Sequence, residues 1–118
     1  MVYVSVHVNA AGNSHQWMKA RGWPVFVYNK PSSKAVMLAS SLFDKAAEKG
    51  FRMRKPEALK KYWNANFAVL RQTVCPAVLV EHFFMDNRDD CAYLLTEKSV
   101  RECAEVLADG IVQYINNL

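Results

Sequence analysis

No C-x-x-C pair occurs among the three cysteines, Cys75, Cys91 and Cys103. A disulfide framework or a cysteine-based zinc site is therefore not indicated, and all three read as small buried hydrophobes. No apolar run approaches the roughly 20 residues that span a bilayer. The opening Met1-Val-Tyr-Val-Ser-Val-His-Val carries neither a basic leader nor a small-residue cleavage site, so it does not read as a signal peptide. It starts directly in a strand-like pattern, which suggests a beginning inside a domain. No repeat or low-complexity segment occurs. Neither sign of charge dominates: 15 basic residues against 11 acidic give a net charge of +4. That modest excess favours polyanions without singling out nucleic acid. What is present, 118 residues of which 52% are hydrophobic and 22% charged, fits one folded domain with a real core.

Val2, Val4, Val6 and Val8 alternate with Tyr3, Ser5 and His7, the period of a strand. The interleaved residues are only mildly polar, so this strand is expected to be covered on both faces, with His7 near its carboxyl end. Ala10 to Arg21, containing Gly12, Asn13 and Ser14, reads as a surface loop. Gly22 to Tyr28 reads as a second strand, with Pro24 at its start, where a missing N–H does least harm. Ser32 or Ser33 then caps a helix whose expected apolar face is Val36, Ala39, Leu42, Phe43, Ala46 and Ala47, with Gly50 as its stop. Residues 66–71, Asn66-Phe-Ala-Val-Leu-Arg, read as a third strand, and the run from Ala77 as a fourth. The short connection between them suits an antiparallel or sharply bent join, hence a mixed sheet. Asn87 starts a short helix through Leu94 and Leu95. Thr96 caps a last helix with an expected buried stripe of Val100, Cys103, Ala104, Leu107, Ala108, Ile111 and Ile115. The fold class is α/β: a mixed, mostly parallel sheet flanked by helices.

Two stretches invite functional readings. Arg52, Arg54, Lys55, Lys60 and Lys61 lie close to Tyr62 and Trp63, the composition of a nucleic-acid patch. No recognised nucleic-acid motif accompanies them, so a solvated, partly helical connection with inward-packed aromatics is the preferred reading. The second stretch is Cys75 to Asn87. Ala77, Val78, Leu79 and Val80 form an unbroken apolar run that reads as a strand buried on both faces and delivers Glu81 at its end. An ionised acid there is costly unless it is paired, hydrogen-bonded or put to use. His7, also at a strand end, is its candidate partner, although a lone histidine on a strand is more often structural.

Ser5-Val-His-Val-Asn-Ala-Ala, Asn66-Phe-Ala-Val-Leu-Arg, Pro76-Ala-Val-Leu-Val-Glu-His-Phe-Phe-Met-Asp-Asn and Asp109-Gly-Ile-Val-Gln-Tyr, in this order and spacing, resemble one family. It is the zinc-dependent N-acetylmuramoyl-L-alanine amidases that cut peptidoglycan, found among bacterial cell-separation amidases and phage endolysins. The resemblance implies hydrolysis of the amide between the lactyl group of N-acetylmuramic acid and L-alanine by a zinc-activated water. It assigns His7 as a zinc ligand and Glu81 as the catalytic glutamate that moves the water's proton to the leaving amine. Asn9 and Arg71 fall in family motifs too and are assigned to supporting or cleft positions. Peptidoglycan is the implied partner, Zn²⁺ the implied cofactor, and the cell envelope or phage lysis the implied setting.

One departure is large. In the family, a histidine in a glycine-rich loop and then a glutamate supply the first two zinc ligands, and both precede the strand that begins this sequence. The expectation is thus a single unit, residues 1–118, forming the C-terminal portion of a catalytic domain. It should bind zinc weakly or not at all by itself and self-associate through an exposed sheet. His82, as strand neighbour of Glu81, points the other way and is not counted as a substitute ligand. The alternative reading is a non-catalytic relic or cell-wall-binding module without zinc.

Overall fold

Alternating valines form the first strand where expected: β1 runs Tyr3–Asn9. In the computed structural model, which describes residues 1–13 and 15–118, β2 (Val25–Tyr28), α1 (Ser33–Glu48), β3 (Trp63–Ala65), α2 (Ala68–Gln72), β4 (Ala77–Phe84), α3 (Arg88–Leu94) and α4 (Glu97–Asn116) follow. Ser14, assigned to the surface loop from sequence, lies outside the described residues. The sheet order is β1-β4-β2-β3. β4 runs parallel to β1 and antiparallel to β2, while β2 and β3 are parallel. The sheet is mixed, as the short connection before Ala77 implied.

Register sorts the side chains into two layers, because directly paired residues share a face. Val4 pairs with Val78, and Val80 with both Val6 and Val25. This face meets Leu38, Ala39 and Leu42 of α1 and Val106 and Tyr114 of α4 in the main core. The opposite face carries Ala77, Leu79 and Phe26, packed against Leu70 and Val69 of α2. Ser5 pairs with Leu79 and His7 with Glu81, which puts both chemistry-bearing residues on the α2 side of the sheet.

The helix starts follow their caps. Ser32 accepts a hydrogen bond from Ala35 N, Asn87 from Asp89 N and Asp90 N, and Thr96 from Ser99 N. Gly50, at φ 89°, follows the end of α1 in the left-handed conformation that only glycine takes freely.

Several expectations are corrected. Residues 66–71 are not a strand: the strand lies earlier, at Trp63–Ala65, and residues 68–72 form α2. Phe67 O accepts from both Leu70 N and Arg71 N, and the turn buries Leu70 against Ala77 and Leu79. Pattern alone does not separate strand from helix in so short an apolar run. The buried stripe of α4 is rotated by one residue, to Ser99, Cys103, Val106, Gly110 and Tyr114, leaving Val100 71% and Ile115 56% exposed. The close crossing at Gly110 selects that face: a Cβ there would lie 2.5 Å from Leu42 Cδ2. On α1, similarly, Ala35 and Leu38 are buried, whereas Ala47 is exposed.

β1 is not covered on both faces. Among the described residues it has β4 as its one sheet neighbour, and Tyr3, Val6 and Val8 are exposed. Residues 51–66 contain no α-helix; Met53 bridges to Trp23, and the Trp63 ring lies tilted beside Phe26. Their aromatics do turn inward, with Tyr62 packed on the core. Lys61 is ion-paired with Asp44, and Lys60 lies over the Tyr62 ring.

Candidate active site

β4 is buried at every position except one, and that exception is Glu81. The strand does not end there, as expected from sequence, but continues to Phe84. What ends at Glu81 is the regular ladder. Its N–H donates to Pro24 O at 3.0 Å, and on the other side it pairs with His7, after which the register of β1 shifts before Asn9 meets Phe84. Phe83 sits at φ 69°, a left-handed conformation uncommon for a residue with a side chain. The bulge and this twist re-aim the chain just beyond the His7–Glu81 pair, a common device beside functional sites.

The Glu81 carboxylate is half-buried, and its Oε2 is shielded from solvent without a hydrogen-bond partner among the described residues. Desolvation by burial pushes its pKa above the usual glutamate range, and the nearby His7 imidazole partly opposes this. His7 itself is exposed, with its Nε2 2.8 Å from Ser5 Oγ. Ser5 was not singled out from sequence, though its position two residues before His7 on a strand was the available signal. His82 points the other way, as alternation requires. It is buried against Trp23 with ring centroids 6.4 Å apart, and burial lowers its pKa to about 4.

Asn9 lies two residues beyond His7, where its Oδ1 accepts from Ala10 N and its carbonyl accepts from Met85 N at 2.8 Å. Arg71 is not gathered into this group. Its Nη1 donates to Asn66 Oδ1, and it lines a separate cleft with Tyr28, Ser32 and Ala77 at the start of β4. Four strand residues, about 13 Å, separate Ala77 from Glu81.

The loop after β1 folds back over the carboxyl end of the sheet. The Asp86 carboxylate accepts from Ala11 N at 2.9 Å and Gly12 N at 2.8 Å, and these amides hold its pKa below the ordinary value. Met18 N donates to Asp86 O at 2.7 Å, while Asn87 Nδ2 donates to Met18 O. Farther along, buried Asp90 accepts from Gly22 N and Phe84 N. All but the Phe84–Asp90 bond join residues far apart in sequence, and sequence reasoning passed over them.

A catalytic zinc takes three protein ligands and keeps one position open. Among the described residues, no group of three or more His, Cys, Asp or Glu side chains is placed to hold a metal ion. His7 and Glu81, with an exposed imidazole and a single orphaned carboxylate oxygen, do not by themselves fit a complete zinc centre.

The family model described as N-acetylmuramoyl-L-alanine amidase matches residues 1–113. An endolysin of Bacillus phage SPP1 is 30% identical over 121 residues, covering 98% of this chain and 40% of that protein. The crystal structure of an N-acetylmuramoyl-L-alanine amidase from Clostridium difficile 630 is similar with a TM-score of 0.83 at 26% identity, over 98% of this chain and 57% of that one. The catalytic domain of CwlV, an N-acetylmuramoyl-L-alanine amidase from Bacillus (Paenibacillus) polymyxa, gives 0.78 at 28% identity, over 98% and 57%. The chain thus spans 40% of the length of the phage relative and somewhat over half of the two solved chains.

Proposed function

This chain belongs to the N-acetylmuramoyl-L-alanine amidase family, and on that premise we propose that residues 1–118 form the C-terminal portion of a peptidoglycan amidase catalytic domain. The observation that carries this reading is the half-buried Glu81 facing His7, with one carboxylate oxygen shielded and without a partner among the described residues. A carboxylate with a raised pKa is suited to proton transfer in both directions. In the proposed reaction Glu81 takes a proton from water as its oxygen attacks the lactyl amide carbonyl. It then returns a proton to the nitrogen of L-alanine as the C–N bond breaks. A lactyl carboxylate and a free amine result.

His7 is the imidazole on this face, and in this reading it is a metal ligand; its bond to Ser5 holds the ring in place. The remaining donors of a zinc centre come from further polypeptide. Asn9 supports the bulge beside the pair, and Arg71 serves the separate cleft at the start of β4. The setting is the cell envelope or phage lysis, with peptidoglycan as partner, and the open edge of β1 favours self-association. The incomplete donor set favours a second reading, a wall-binding module that holds peptidoglycan without cutting it.

Digestion of purified peptidoglycan with the complete gene product separates these. The amidase reading expects new L-alanine amino termini without new reducing sugar ends. New reducing ends contradict it, and co-sedimentation with peptidoglycan without any release supports the wall-binding module.

A further inference from the structure

The cleft at the start of β4 lies at the far end of that strand from Glu81, and its charge is one-sided. Its volume is about 290 Å³, and two segments wall it: Tyr28, Lys30 and Ser32, from the end of β2 to the start of α1, and Arg71, Thr73 and Cys75, around the end of α2. Residues 25–43 and 66–80, which contain these segments, carry no aspartate or glutamate, against Lys30, Lys34 and Arg71. Neither Lys30 nor Arg71 is ion-paired among the described residues. Arg71 gives one donor to the neutral Asn66 Oδ1, which leaves the rest of its fork and its whole charge in place. Two cations thus line one space without a counter-charge, and an anion between them relieves their repulsion.

A second cleft shows the ordinary arrangement. Between the end of α1 and the start of α4, Lys49, Arg52 and Lys98 line a space that Asp90 and Glu102 line as well, and Lys49 is paired with Glu105. Acids are interspersed there, and at the start of β4 they are missing.

The donor set selects the anion. Two positive charges exceed the single charge of a carboxylate and match a phosphate group, which carries about −1.5 to −2 at pH 7 and presents three acceptor oxygens. The planar fork of Arg71 suits two phosphate oxygens side by side, and Lys30 meets a third as a point charge. Ser32 Oγ accepts from Ala35 N, so its O–H is left to donate, whereas the Thr73 hydroxyl is turned to Val69 O.

We infer that this cleft binds a phosphate group, free or as a monoester, held by Arg71 and Lys30 with Ser32 as a hydroxyl donor. The site is independent of proton transfer at Glu81, four strand residues away from Ala77.

The test is NMR titration of the nitrogen-15-labelled 118-residue chain at constant ionic strength with inorganic phosphate, glycerol 3-phosphate and acetate. The signals followed are the Arg71 Nε–H and the backbone N–H groups of Lys30 and Thr73. Both phosphate probes should move them, and acetate at the same concentration should not. Lys30→Gln and Arg71→Gln should each weaken phosphate binding roughly tenfold, the worth of one charge-assisted hydrogen bond. Arg52→Gln removes the same charge from the second cleft and should leave binding unchanged. An equal loss in Arg52→Gln would reveal attraction to net charge alone and overturn the inference. Acetate bound as tightly as phosphate, or signals that stay still at high millimolar phosphate, would overturn it too. Given binding that depends on Lys30 and Arg71, tighter glycerol 3-phosphate identifies the ligand as a monoester, and tighter inorganic phosphate identifies it as the free ion.

Discussion

Lowering the pH should destabilise this protein through His82. The ring is 6% exposed, lies against Trp23 and has no partner for its Nε2 among the described residues. Burial therefore lowers its pKa from 6.5 to about 4. Because the folded pKa is depressed, protons bind the unfolded chain more readily. Stability is intact above the unfolded pKa and is lost as pH falls from 6.5 toward 4. At about 1.4 kcal/mol per pKa unit, the loss is about 3 kcal/mol, a sizeable share of the stability of a domain this small. His82→Phe retains the ring packing on Trp23 and removes the titration. Urea unfolding of both proteins, from about pH 7.5 down to about pH 4, measures the difference. Asp86 and Glu105, whose pKa values are lowered, also lose stabilisation in acid, but equally in both proteins. The wild-type curve should fall below the variant's by about 3 kcal/mol more at the acid end than at neutral pH. Curves that stay parallel would refute the reasoning.

Gly110→Ala should destabilise the chain by about 1–2 kcal/mol. Overpacking against fully buried Leu42, whose Cα lies 3.0 Å from the new Cβ, outweighs the roughly 1 kcal/mol gain in helix propensity, and a higher thermal midpoint would contradict this. The isolated 118-residue chain should retain far less than one equivalent of zinc after dialysis. Tight stoichiometric binding in a competition titration would contradict this and direct attention to His15, His82 or a neighbouring molecule as ligands. Self-association through β1 should appear as a concentration-dependent mass in light scattering, because Val6 and Val8 are exposed beside an edge that has no partner strand among the described residues; a constant monomer mass would contradict it.

The parts of the fold that were legible in the sequence are those specified locally. Alternating valines marked β1, and the apolar run before Glu81 marked β4; Ser32, one of the two serines expected at the start of α1, caps that helix, and Asn87 and Thr96 cap the helices they were expected to start. The His7–Glu81 pairing was legible as a possibility, and parallel register makes the two residues neighbours. What was not legible depends on distant partners. The Ala68–Gln72 segment is helical because Leu70 finds Ala77 and Leu79 on the sheet. α4 carries apolar residues on two sides, and the crossing of Gly110 on Leu42 selects one of them. The loop after β1 is held by Asp86, 75 residues from Ala11, and no spacing rule reaches that far.

The most direct test of the account is Glu81→Gln in the complete gene product, assayed for amine release from peptidoglycan beside metal analysis. The substitution keeps size and hydrogen bonding but removes the proton acceptor. Turnover should fall by roughly two to four orders of magnitude, the usual worth of positioned acid–base catalysis. Metal content should be unchanged, and stability at neutral pH should hold or rise, since ionising a carboxylate with a raised pKa costs folding free energy once the pH exceeds the ordinary glutamate range. Near-normal turnover in the glutamine variant would contradict the proton-transfer role of Glu81, and loss of metal would make it a ligand instead.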